Sequence, residues 1–162
     1  MPDHPTTRAL HIRPPEMWHG SLPSLFLAGG ISGTAPWQDR LVTMLADTPW
    51  AFINPRQPRY GDSPEAARAQ IAWEFHYFRT ATACLFWFPP ETLCPIALFE
   101  LGGMVRTTLP LFVGVHPNYA RRLDIIEQLQ LARPDVQVVD SLDALAGQIR
   151  LHNQKGQVPC GT

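Results

Sequence analysis

The sequence is short of charge. Asp, Glu, Lys and Arg together make up 17% of it and sum to a formal net charge of −1, so no basic surface argues for a nucleic acid or an anionic membrane as partner. It is also short of cysteine. Cys84, Cys94 and Cys160 show neither a CxxC pair nor Cys/His zinc spacing, and an odd number without a framework points to a reducing compartment. No apolar run reaches the roughly 18 residues that suggest a membrane span. The first residues, Met1 to Arg8, lack the apolar core of a signal peptide. The expectation is a cytoplasmic protein. A Walker loop, GxSxG, HExxH, a plausible Ser/His/Asp set and a metal cluster are all missing. No metal or cofactor is therefore expected, and a reactive site would have to work with carboxylates.

What is present is enough for one domain with a proper core: 162 residues, 45% of them hydrophobic. Residues 1–23 are rich in Pro and His and read as a surface arm, with Ala9–Arg13 as a short edge strand ended by Pro14-Pro15. Residues 24–150 read as the domain, and 151–162, polar with Gly and Pro, as a flexible tail. Within the domain, short apolar runs at 24–28, 50–53, 82–88, 110–115 and 136–139 read as strands. Five helices follow them, at 36–46, 64–80, from Pro95, at about 119–131, and from Ser141 through Ile149. Pro36, Pro64 and Pro95 each suit the first helical position, and Ser63 suits the N-cap. The expected buried stripes are Trp37, Leu41, Met44 and Leu45 on the first helix; Ala67, Ile71, Phe75 and Phe78 on the second; and Leu123, Ile126 and Leu129 on the fourth.

Five strands alternating with five helices predict a three-layer α/β fold of flavodoxin-like or Rossmann-like type. Its parallel sheet has order 2-1-3-4-5, with helices on both faces. The switch point of that order lies between the first and third strands. Their carboxyl ends carry Gly29-Gly30 and the loop that leads to Glu100, so these two stretches are expected to face each other across one crevice.

Glu100 is the only charged residue between Glu91 and Arg106, on an otherwise apolar helix. An acid so placed is costly without a use. Gly29-Gly30-Ile31-Ser32-Gly33 is a turn whose backbone can approach a ligand closely, although GGISG is not GxGxxG and serves equally as a tight strand-to-helix turn. Glu74 borders the expected stripe of the second helix beside Trp73, which is large for a solvent face. The loop after Asn54-Pro55-Arg56, with Arg59, Tyr60 and Asp62, is either a ligand grip or a solvated connector. His116 has no visible partner, and a structural part is favoured for it. Two acids can together cleave a glycosidic bond, one attacking the anomeric carbon and the other protonating the leaving group. Glu100 and Glu74 are the candidates.

Leu25–Ile31, Asn54-Pro55-Arg56, Gln70–Glu74, Leu85–Pro89 and Cys94–Gly102 together resemble the nucleoside 2-deoxyribosyltransferase-like proteins, over about Ser24 to Ile149. That family is related to nucleoside 2-deoxyribosyltransferases and deoxynucleotide N-hydrolases. The resemblance implies that Glu100, in Glu-Leu-Gly, is the nucleophile that forms a glycosyl ester, and that Glu74 contacts and helps protonate the base. It also implies that Gly29 and Gly30 line the sugar pocket. Ile31, Asn54, Arg56, Trp73 and Cys94 join them as candidate substrate-binding residues. A small nucleoside or nucleotide is the expected partner, with a homodimer or higher homo-oligomer completing the site. Two departures stand out. The better-known transferases carry an Asp shortly before the nucleophile, where this chain has Thr92-Leu93-Cys94-Pro95. They often have a Tyr in the first-strand motif, where it has Phe26-Leu27. Transfer and hydrolysis differ only in what accepts the sugar. A binding module without catalysis, on the same crevice, is the alternative.

Overall fold

In the computed structural model, which describes residues 10–57 and 61–156, the apolar runs pair into one parallel sheet. Its strands are β1 (Leu10–Ile12), β2 (Ser24–Gly29), β3 (Ala51–Ile53), β4 (Ala83–Phe88), β5 (Leu111–Val115) and β6 (Val138–Val139), in the order β1-β3-β2-β4-β5-β6. Five of these are the expected strands in the expected order. The sixth, β1, corrects the count: the arm pairs in parallel with β3, Leu10 opposite Ala51 and Ile12 opposite Ile53.

The strand side chains alternate between two cores, as the period of two requires. Phe26, Cys84, Phe86 and Phe88 face one, against α2 (Pro64–Thr80), α3 (Pro95–Met104) and α4 (Arg122–Ala132). Leu25, Leu27, Leu85 and Trp87 face the other, against α1 (Trp37–Met44) and α5 (Leu142–Gly156). Glu74 on α2 and Glu100 on α3 therefore lie on the same face of the sheet. No described helix is long and apolar enough to cross a membrane.

Several expectations need correction. Pro36 is the N-cap of α1, not its first residue, because its ψ of 65° is not helical. On that helix Gln38 and Val42 are buried along with Trp37 and Leu41. On α4 the buried residues are Ile125 and Leu129, while Leu123 is exposed. The largest error is on α2. Its buried side chains are Gln70, Trp73 and Tyr77, whereas Ala67, Ile71 and Phe75 are exposed. Hydropathy undervalues the true face because Trp73 and Tyr77 each direct a polar atom at the arm: the Trp73 indole N–H donates to the Glu16 carbonyl at 2.8 Å, and the Tyr77 hydroxyl accepts from the Trp18 amide at 2.5 Å. Lastly, α5 continues past Ile149 to Gly156, into the stretch expected to be a tail. Residues 157–162 lie outside the described residues, as do Arg59 and Tyr60.

Candidate active site

Ser63 caps α2 by accepting from the Ala66 amide at 3.1 Å, with Pro64 at the first helical position. That start sets the phase that brings Gln70, Trp73 and Glu74 toward the sheet. On the other side of the crevice, α3 starts at Pro95 after Cys94, a non-glycine residue in the left-handed region (φ 48°, ψ 57°). Such a conformation is uncommon outside glycine and is concentrated at functional sites. The loop before it is pinned by the Tyr119 hydroxyl, which donates to the Leu93 carbonyl at 2.7 Å.

The glycine turn is built for contact with this loop. Gly29 has φ 142°, and a Cβ there would meet the Trp87 carbonyl oxygen at 2.2 Å. A Cβ on Gly30 would lie 2.9 Å from Pro89 and Thr34 and 3.0 Å from Cys94 Sγ. The turn that follows β2 and the loop that follows β4 thus touch, as the switch point of the sheet predicts.

Between them lies a cavity of about 350 Å3 lined by Gly29, Gly30, Ile31, Ser32, Thr92, Cys94, Glu74 and Glu100, with Phe26 and Ala28 among the apolar walls. A second, larger cavity of about 820 Å3 runs between α2 and α3 under the arm; it is lined by Pro14, Pro15, Ile71, Trp73, Phe75 and Phe99 and again by Glu74 and Glu100. The two acids stand where the cavities meet. Among the described residues neither cavity is lined by Lys, Arg or His.

The environments of the acids differ. Glu100 is half-buried and, among the described residues, makes no hydrogen bond or ion pair. Burial, and then the neighbouring Glu74 carboxylate, push its pKa up to about 7. Burial also raises the pKa of Glu74, but a hydrogen bond from Gln70 Nε2 to Glu74 Oε1, 2.5 Å, works the other way. Cys84, on β4 beneath the site, is pushed up to about 12 by burial and then by Glu100. Burial raises the Cys94 thiol as well, and Thr92 Oγ1 lies 3.2 Å from its sulfur.

Asn54 and Arg56 line neither cavity. Asn54 is fully buried; its amide nitrogen contacts His11 Nε2 at 2.9 Å and donates to Asp39 at 3.3 Å, and its carbonyl accepts from the Arg56 amide. The Arg56 guanidinium donates to Gln38 Oε1 at 2.9 Å and Thr34 Oγ1 at 2.8 Å, and reaches the Gly30 carbonyl at 3.4 Å. That carbonyl also accepts from the Trp37 indole at 2.7 Å. Arg56 braces the back of the glycine turn, and Asn54 holds the Arg56 backbone amide. His116 likewise stands apart, its Nδ1 accepting from the Asn118 amide at 3.1 Å.

Sequence reasoning passed over Gln70, Gln57, Thr92 and the Pro14-Pro15 wall. One signal was available for Gln70: it precedes Glu74 by four residues, so the two side chains are neighbours on a helix. Among the described residues no group of three or more His, Cys, Asp or Glu is placed to hold a metal. A family model described as "Nucleoside 2-deoxyribosyltransferase like" matches residues 22–119. No curated protein matches the chain.

Proposed function

The chain belongs to the nucleoside 2-deoxyribosyltransferase-like family, and on that basis we propose that it cleaves the N-glycosidic bond of a nucleoside or nucleotide through a covalent ester on Glu100. The Glu100 carboxylate attacks C1′ while the C1′–N electron pair leaves with the base, which takes a proton from the Glu74 carboxyl. In the second step an incoming base or a water molecule attacks C1′. The ester electron pair returns to Glu100, and Glu74 takes up the proton of the attacking group. The sugar occupies the smaller cavity against the glycine turn, and the base the larger one.

The observation that carries this reading is Glu100 itself: a half-buried carboxyl at the junction of two cavities, beside a second acid and without an internal partner. A residue that only built the fold would be paired, since a buried unpaired acid is costly. The departures from the better-known transferases favour the alternative, a binding module without catalysis on the same crevice. Phe26 lines the cavity with no hydroxyl to offer Glu100, and Thr92 and Cys94 stand before the nucleophile where those enzymes have an Asp. Sugar contacts in the catalytic reading come from Thr92 and the turn backbone. The larger cavity opens onto Ile71, Phe75, Ile96 and Phe99, all mostly exposed, and a second copy of the chain is the proposed cover.

The test is a panel of 2′-deoxynucleosides, their 5′-monophosphates and ribonucleosides, with and without a second free base, followed by chromatography. Base exchange lost in Glu100→Ala by about a thousandfold or more is the result expected of a transferase. Base release without exchange, lost in the same way, identifies a hydrolase. Saturable ligand binding with no turnover overturns the catalytic reading in favour of a binding module.

A further inference from the structure

Gln70 is buried on α2, one helical turn before Glu74. The Pro55 carbonyl lies 2.8 Å from its Nε2. A carbonyl only accepts, so this contact fixes which end of the side-chain amide is nitrogen. One N–H is directed at Pro55, at the carboxyl end of β3, and the other at Glu74 Oε1, 2.5 Å away. The amide oxygen accepts in turn from Gln57 Nε2. The Gln70 amide thus has both donors and its acceptor engaged, and is anchored at one end to the loop after β3.

We propose that Gln70 is the positioning residue of the acid pair: anchored through Pro55 and Gln57, it holds Glu74 Oε1 as a hydrogen-bond acceptor and so leaves the proton of that carboxyl to Oε2. Two consequences follow. The carboxyl is fixed in rotation, so the proton that goes to the departing base is always presented from the same oxygen. The donated hydrogen bond also favours the ionised form that Glu74 reaches after giving its proton away. Gln70 lines the larger cavity and not the smaller, so it acts on the sugar-transfer chemistry through Glu74. This inference rests on the reading of Glu74 as the acid that assists the base. The groups facing the pair are each other, from α2 and α3, the Cys94 thiol at the start of α3 and the Cys84 thiol on β4.

The test is Gln70→Met, which keeps length and shape and removes the donor. Side-chain carboxyl carbons labelled with 13C are titrated by NMR in the wild type and the variant, with Glu74→Gln and Glu100→Gln used to assign the two signals. Glu74 is expected to titrate about one pH unit higher in the variant, a tenfold change in its acid constant. In turnover, kcat is expected to fall on the order of tenfold with KM nearly unchanged, and one limb of the pH profile of kcat/KM to move upward, because Glu74 keeps its proton to higher pH. Gln70→Leu serves the same purpose if the Met variant does not fold. A Glu74 titration that coincides in wild type and folded variant overturns the proposal. A shifted Glu74 titration in a protein that turns over no glycoside supports Gln70 as the anchor of Glu74 and overturns the glycosidic reading instead.

Discussion

Glu100 places a carboxyl where no donor stabilises its charge, and its pKa of about 7 against an ordinary 4.5 is the consequence. Between those two pH values the folded protein holds the Glu100 proton and the unfolded chain does not. The contribution of this group to stability is therefore full below about pH 4.5, declines as pH rises through 7, and is gone above it. Glu100→Gln removes the dependence. The variant is expected to match the wild type near pH 4.5 and to exceed it by about 1–2 kcal/mol at pH 8, a figure discounted for partial exposure. Urea unfolding at the two pH values checks this. The proposed attack needs Glu100 ionised while Glu74 still holds its proton, so kcat/KM of the wild type is expected to be bell-shaped in pH, falling on either side as the pair gains or loses a proton. Glycine geometry makes a second prediction at this scale. Gly29→Ala puts a Cβ against the Trp87 carbonyl in a conformation that L residues rarely adopt. The expected loss is about 2–3 kcal/mol, with turnover reduced as the turn retreats from the pocket.

The arm is the element whose importance is easiest to miss. Residues 10–21 lie outside the matched segment, yet β1 pairs with β3, Arg13 bonds Asp39 on α1, and the Glu16 carbonyl accepts from Trp73, next to Glu74 in sequence. Pro14 and Pro15 form a wall of the larger cavity. Tyr77→Phe removes the hydroxyl that accepts from the Trp18 amide. It is expected to lower stability by about 1 kcal/mol and Tm by about 2–4 °C, with faster proteolysis between residues 14 and 22 as the local readout. The same element shows where sequence reading stops. The central strands were legible because Leu85 to Phe88 are apolar on both faces, and Gly29-Gly30 and Glu100 were legible because each breaks its local pattern. The phase of α2 was not. Ile71 and Phe75 dominate its periodicity while the arm, distant in sequence, satisfies Trp73 and Tyr77 on the opposite side. Asn54 and Arg56 were legible as distinctive residues, but their direction depends on His11, Asp39 and the Gly30 carbonyl, which only the folded chain brings together.

At the scale of the whole molecule, the apolar side chains that α2 and α3 leave uncovered belong together. Ile71, Phe75, Ile96 and Phe99 are 63%, 61%, 65% and 82% exposed, and all four line the larger cavity that holds Glu74 and Glu100. Scattered exposed hydrophobic residues need no explanation, but a contiguous patch beside a site marks a contact surface. A surface used by a symmetric pair must be self-complementary, and adjoining apolar stripes on two helices meet that condition without requiring matched charges. Arg79, with its guanidinium 5.6 Å from the centre of the Phe75 ring, provides the kind of polar rim such interfaces carry. The wild type is expected to sediment as a dimer at micromolar concentration. Phe99→Glu, which sets a charge on the most exposed of the four, is expected to sediment as a folded monomer with an unchanged circular dichroism spectrum. Because the patch borders the cavity proposed to hold the base, KM for the nucleoside is expected to rise in that monomer more than kcat falls. A wild type that stays monomeric across the concentration range, while turning over substrate, would show that the cavity works without a second copy and that the patch serves the base alone.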